Sequence, residues 1–106
     1  MPYQRYLNVA QLRELTLGME ADLGLGGLSQ NEKDVLYAVI SVIASKPVSN
    51  SVAKSDEIKS HFLVQNITQP TFHRSLKNLV ARNIIAHAPN TKAGSYVIPS
   101  EQSEKT

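Results

Sequence analysis

Between Ser55 and Val97 the chain reads SDEIKSHFLVQNITQPTFHRSLKNLVARNIIAHAPNTKAGSYV, and this stretch decides the fold. Ser55 can cap a helix, and Asp56 and Glu57 fall in its first turn, where the helix dipole favours negative charge. The spacing turns Ile58, Phe62 and Leu63 inward on a helix of about two turns. Gln65 to Ile67 read as a turn. A longer helix then opens at Thr68 or Gln69, with Pro70 in the first turn, where no intrahelical amide is lost. Phe72, Leu76, Leu79 and Val80 recur at helical spacing and predict a buried stripe. Gln69, Thr71, His73, Arg74, Lys77 and Asn78 fall on the other faces. Asn83 suits the left-handed residue that ends many helices. Ile84 to Ala88 and Tyr96 to Ile98 have strand character, and Pro89 to Ser95 suits the tip of a hairpin.

Working toward the N-terminus, Ser51 to Ala53 suggest a further short strand, after Lys46-Pro47 has stopped the preceding helix. That helix begins at Ser29, whose hydroxyl and the Glu32 carboxylate have the spacing of a reciprocal capping box. Val35, Leu36, Val39, Ile40 and Ile43 give it a broad apolar face, as expected of the central core helix. Ahead of it, Gly24, Gly26 and Gly27 end another helix predicted over Asn8 to Leu23. Its stripe of Val9, Leu12, Leu15, Met19 and Leu23 has two readings, packing on its own domain or pairing with another copy. Tyr3, Tyr6 and Leu7 lie just ahead and suit either the domain body or another subunit.

A length of 106 residues suits one domain. With 42% hydrophobic and 19% charged residues and no long apolar run, the composition is that of a soluble globular chain. No secretory signal pattern opens it, and there is no cysteine for a disulfide or a thiolate metal site, so a cytoplasmic location is expected. Net charge is +2, but its distribution is uneven: residues 1–53 carry −1, residues 54–94 carry +4, and residues 95–106 carry −1. Positive charge therefore collects on the elements of the opening stretch, where it would attract phosphates.

Catalysis and metal binding find little support. His61, His73 and His87 sit on three different predicted elements with no close carboxylate pair, which argues against a zinc site. Gly24-Leu25-Gly26-Gly27 lacks the preceding strand and the Lys-Ser/Thr ending of a phosphate loop. No nucleophile signature is present. The expectation is a non-enzyme without cofactors.

Several segments together resemble a winged helix-turn-helix domain, and within that group MarR-type bacterial transcription regulators. They are Leu28-Ser29-Gln30-Asn31-Glu32 with Val35-Leu36, Glu57-Ile58, Thr71-Phe72-His73-Arg74-Ser75-Leu76 with Leu79-Val80, Ile84-Ile85, and Gly94-Ser95-Tyr96-Val97-Ile98. The likeness covers roughly residues 28 to 98. It implies a mainly α fold with a small β-hairpin (α+β) and an additional N-terminal helix. The division is 1–27 as N-terminal helix and linker, 28–98 as winged domain, and 99–106 as polar tail. It also implies a sequence-specific regulator whose third helix, about 69–82, enters the major groove of double-stranded DNA, while a wing of about 89–95 meets backbone or minor groove.

The major groove admits a helix, and its base edges match Gln, Asn, Arg, Lys and Thr side chains. On that basis Gln69, Thr71 and His73 face bases, Arg74 reads guanine or grips phosphate, and Lys77 and Asn78 hold backbone. Lys54, Ser55 and Lys59 add backbone contacts from the second helix, and Lys92, carried over from the family's wing, contacts backbone or minor groove. The competing reading for Arg74 is an ion pair with Asp56 or Glu57. MarR-type proteins usually pair a C-terminal helix with the N-terminal one, but this chain ends soon after the return strand. Residues 3–25 are left to make the interface, so Leu12, Leu15, Met19 and Leu23 are the expected homodimer surface. The alternative for the whole chain is a winged-helix protein interaction module that does not bind DNA.

Overall fold

The computed structural model describes residues 2–89 and 94–99. In chain order these form α1 (Pro2–Asp22), α2 (Gln30–Ala44), a single 3-10 turn (Val48–Asn50), β1 (Ala53–Lys54), α3 (Ser55–Lys59), α4 (Gln69–Ala81), β2 (Ala86–His87) and β3 (Ser95–Val97). The result is a mainly helical domain with a small three-stranded antiparallel sheet, ordered β1-β3-β2. The expected hairpin of β2 and β3 is therefore joined by a third strand. Ala53 lies opposite Tyr96 and Lys54 opposite Ser95 on one side of β3, while Ala86 faces Val97 and His87 faces Tyr96 on the other.

Local chemistry sets the helix boundaries. Ser29 accepts from the Glu32 amide at 3.1 Å, and the Glu32 carboxylate accepts from the Ser29 amide at 2.8 Å, so α2 starts with two of its free donors satisfied. Thr68 precedes α4 in an extended conformation with Pro70 behind it, and Asn83, at φ 62°, turns the chain out of α4. The apolar faces of α2, α3 and α4 meet in one core. Val35, Val39, Ile58, Val64, Phe72, Leu76, Leu79 and Ile85 are its fully enclosed larger side chains.

Several sequence expectations change. α1 starts at Pro2 rather than Asn8. α3 has five residues, its cap is Lys54 rather than Ser55, and Phe62 lies beyond it at 71% exposure, because the chain leaves the helix at Ser60 and Val64 takes the inward seat. Leu63 also faces outward. Ile40, expected in the core, is 44% exposed at the edge of α2; β2 takes only Ala86–His87 of the run from Ile84 to Ala88, β1 is Ala53–Lys54 rather than Ser51 to Ala53, and β3 starts one residue early, at Ser95. Among the described residues the stripe Leu12, Leu15, Met19 and Leu23 stays 55% to 72% exposed, with Leu23 at the edge of a groove it shares with Leu25, Leu36 and Ile40. Asn90, Thr91 and Lys92, and with them the wing tip, lie outside the described residues.

Among the described residues no helix is long and apolar enough to cross a membrane.

Candidate nucleic-acid interface

α4 is two-sided because its apolar residues recur with the helical period. Phe72, Ser75, Leu76 and Leu79 are buried, while Gln69, His73, Arg74, Lys77 and Asn78 are exposed and Thr71 is half-buried. Gln69, His73 and Lys77, spaced by four, form a row along the outer side. Among the described residues, neither Gln69 nor Lys77 has a hydrogen-bond or ion-pair partner for its side chain. Arg74 makes no ion pair with Asp56 or Glu57; its guanidinium rests 3.4 Å from the Thr71 hydroxyl. The His73 ring stands edge-on to Phe72, with centroids 5.3 Å apart, which fixes its direction without using its nitrogens.

Beside this row, α3 and α4 enclose an open cleft of about 170 Å³, lined by Ser55, Asp56, Lys59, Gln69, Phe72 and His73. Four residues selected from sequence, Ser55, Lys59, Gln69 and His73, thus meet at one place. Asp56 brings a carboxylate into the same cleft. One of its oxygens accepts from the Glu57 amide at 2.9 Å, which occupies it locally. Lys59 is held over Phe72, with Nζ 6.0 Å from the ring centroid, and donates to the Gln65 carbonyl at 3.1 Å. Its charge therefore stays at the cleft rim rather than swinging freely.

Lys54 is exposed on β1, and the Ser55 amide donates to the Gly94 carbonyl at 2.7 Å. This contact sets the start of α3 against the returning hairpin strand. Gly94 has φ 91°, and a Cβ there would come within 3.1 Å of the Ser55 hydroxyl, so both conformation and space favour glycine.

Asn78, exposed on α4 as expected, also has a partner within the domain. Its amide nitrogen donates to the Glu32 carboxylate at 3.0 Å, bracing α4 against the N-terminus of α2. The Ser29 backbone amide, with Asn78 adding to it, holds the Glu32 carboxyl below the usual glutamate range. A second brace was not visible in the sequence either. Lys46 Nζ reaches Glu57 at 2.6 Å and the Val52 carbonyl at 2.7 Å, and Glu57 also accepts from the Lys54 amide at 3.0 Å. The Lys46 ammonium is the largest influence lowering the Glu57 carboxyl. Glu57 is thus neutralised from behind, and the strand-to-helix corner carrying Lys54 and Ser55 is pinned. Only its first-turn position hinted at this role.

The residues expected to mediate dimerisation lie on α1, where every residue from Tyr3 to Leu15 is exposed. α1 meets α2 through Glu20, which receives the Tyr37 hydroxyl and sits 3.1 Å from Lys33 Nζ. The Tyr37 hydrogen bond, followed by that of Lys33, lowers the Glu20 carboxyl, and burial together with the Glu20 charge pushes the Tyr37 hydroxyl up to about 12. Among the described residues no group of His, Asp or Glu is placed to hold a metal ion. Comparison of the chain with protein-family models, with curated proteins and with solved structures found no match.

Proposed function

We propose that the chain is a winged helix-turn-helix protein of MarR-like type that binds double-stranded DNA as a homodimeric transcription regulator. α4 lies in the major groove, with Gln69 and His73 toward base edges and Arg74 and Lys77 toward bases or phosphates. Lys54, Ser55 and Lys59 flank the groove on the backbone. The observation that carries this reading is the outer row of α4: polar and cationic side chains stand exposed on a helix whose opposite side is locked into the core. A helix so anchored loses little freedom on entering a groove. Two copies supply two half-sites, which suits a module with few base-reading side chains of its own.

Anisotropy titrations of labelled duplex DNA at several salt concentrations test the proposal. Binding that weakens steeply with salt, together with a preferred sequence recovered from a random duplex pool, is the expected result. Absence of binding at low salt would refute it and favour a protein interaction module.

A further inference from the structure

We infer that the homodimer is built by antiparallel pairing of α1, with Tyr6 and Val9 of each copy seated in an apolar groove on the body of the other. The inference rests on the homodimer reading above and adds its geometry.

α1 is an arm about 31 Å long at the usual helical rise. It carries Tyr3, Tyr6, Val9, Leu12, Leu15 and further apolar side chains in the open. Those on one continuous side, Tyr6, Val9, Leu12, Leu15, Met19 and Leu23, are 55% to 77% exposed, which makes roughly 800 Å² per copy, the order that each partner of a stable complex buries. At the root of the arm the body has a matching feature, a mostly apolar groove of about 260 Å³ lined by Leu23, Leu25, Leu36, Ile40, Ile84 and Ile98, with the polar Asn83 also on its wall. The distal half of a continuous helix cannot fold back into the groove at its own root. A second copy can fill it.

The helical wheel fixes which residues arrive. The stripe Leu12, Leu15, Met19 and Leu23 is centred about 90° around the helix from Glu20, which points at α2; Val9 and Tyr6 lie within about 20° and 40° of the Glu20 direction. If two such stripes meet antiparallel, the twofold axis is perpendicular to the plane of the two helices, and the body-facing sides of both point the same way. Tyr6 and Val9 of the second copy then face the first copy's body.

The register agrees. The stripe is centred near residue 17, so at about 1.5 Å per residue the second copy's Val9 and Tyr6 lie about 4.5 Å and about 9 Å past the axial level of Asp22, where α1 ends and the chain runs on through Leu25 into the body. The contact is isologous and closes at two copies.

The natural chain has no cysteine, so single cysteines report unambiguously. Chains carrying Tyr6→Cys and Ile40→Cys are co-refolded and treated with a bismaleimide of about 10 Å reach, and Leu15→Cys alone is treated the same way. The expected products are a mixed 6–40 dimer and a 15–15 dimer. Tyr6→Cys alone gives none, because antiparallel pairing holds those positions about 33 Å apart along the axis. Absence of the mixed product, or a 6–6 dimer, overturns the inference. Sedimentation of the same samples separates the two levels: a dimer without the mixed product leaves the homodimer reading standing, and a monomer removes both.

Discussion

Replacing Arg74 and Lys77 together with alanine probes the proposed DNA surface directly. Each copy presents Lys54, Lys59, Arg74 and Lys77 on α4 and the adjoining corner. If each neutralises one phosphate, the slope of log affinity against log salt is about −3.6 per copy, and a rise from 50 to 200 mM salt weakens binding about 150-fold. The double variant retains two of these cations, so its slope falls to about −1.8 and the same salt step costs about 12-fold. Folding should be unaffected. Both side chains are exposed, the hydrogen bond that Arg74 gives up is the long one to Thr71, and alanine favours helix, so stability should stay within about 0.5 kcal/mol of the parent. Duplex titration by anisotropy gives the slopes, and thermal unfolding confirms the fold. A folded double variant with the parent slope would refute the reasoning and place the phosphate contacts on another surface.

Three further outcomes follow from the interior and its caps. Phe72→Ala empties the largest fully buried position and should cost about 3–5 kcal/mol in urea unfolding; a loss under about 1 kcal/mol would mean that the α3–α4 contact is not part of the cooperative core. Asn83→Val should destabilise by about 1–2 kcal/mol and Asn83→Gly should not, since only the branched side chain resists the left-handed backbone; equal effects would contradict the positive φ. Glu20, Glu32 and Glu57 all have carboxyls held below the ordinary value near 4.5, so their contribution is complete above that pH and is lost as pH falls through the lowered values. Tyr37, raised to about 12, contributes fully below its ordinary value of 10.0 and loses its contribution as pH rises toward 12. Thermal unfolding across pH should thus show a plateau between these limits, and the triple Glu→Gln variant should lack the parent's acid limb. An unchanged acid limb in that variant would assign the loss to other groups.

The helical part of the domain was legible where a local signal and a periodic one coincide. Ser29 with Glu32, Thr68 ahead of Pro70, and Asn83 after the Phe72–Val80 stripe each mark a boundary that the structure places within a residue or two. Where only periodicity was available, the reading overran. Phe62 continues the spacing of Ile58, but α3 stops at Lys59, and spacing cannot show that Val64 fills the seat instead. The sheet was only half legible, because β1 pairs with β3 across more than forty residues and its two-residue length leaves almost no pattern. The same distance in sequence hid the Asn78–Glu32 brace, and with it the reason Asn78 belongs partly to the scaffold.

The candidate site follows the same division. Polar residues on the outer side of α4 could be named from spacing alone, because a stripe that is buried defines what is left out. What the sequence could not show is how the corner beside them is held: Lys46 behind Glu57, Ser55 against Gly94, and Lys59 laid over Phe72. These contacts matter to the proposal more than any single exposed side chain. A reading helix discriminates only if its neighbours hold it at a fixed angle to the backbone contacts on either side. α1 makes the complementary point. An apolar stripe at helical spacing shows that a face avoids water without showing what covers it, and here the domain that carries the stripe leaves it bare. Whether a second copy of α1 covers it is what the 6–40 cross-link decides.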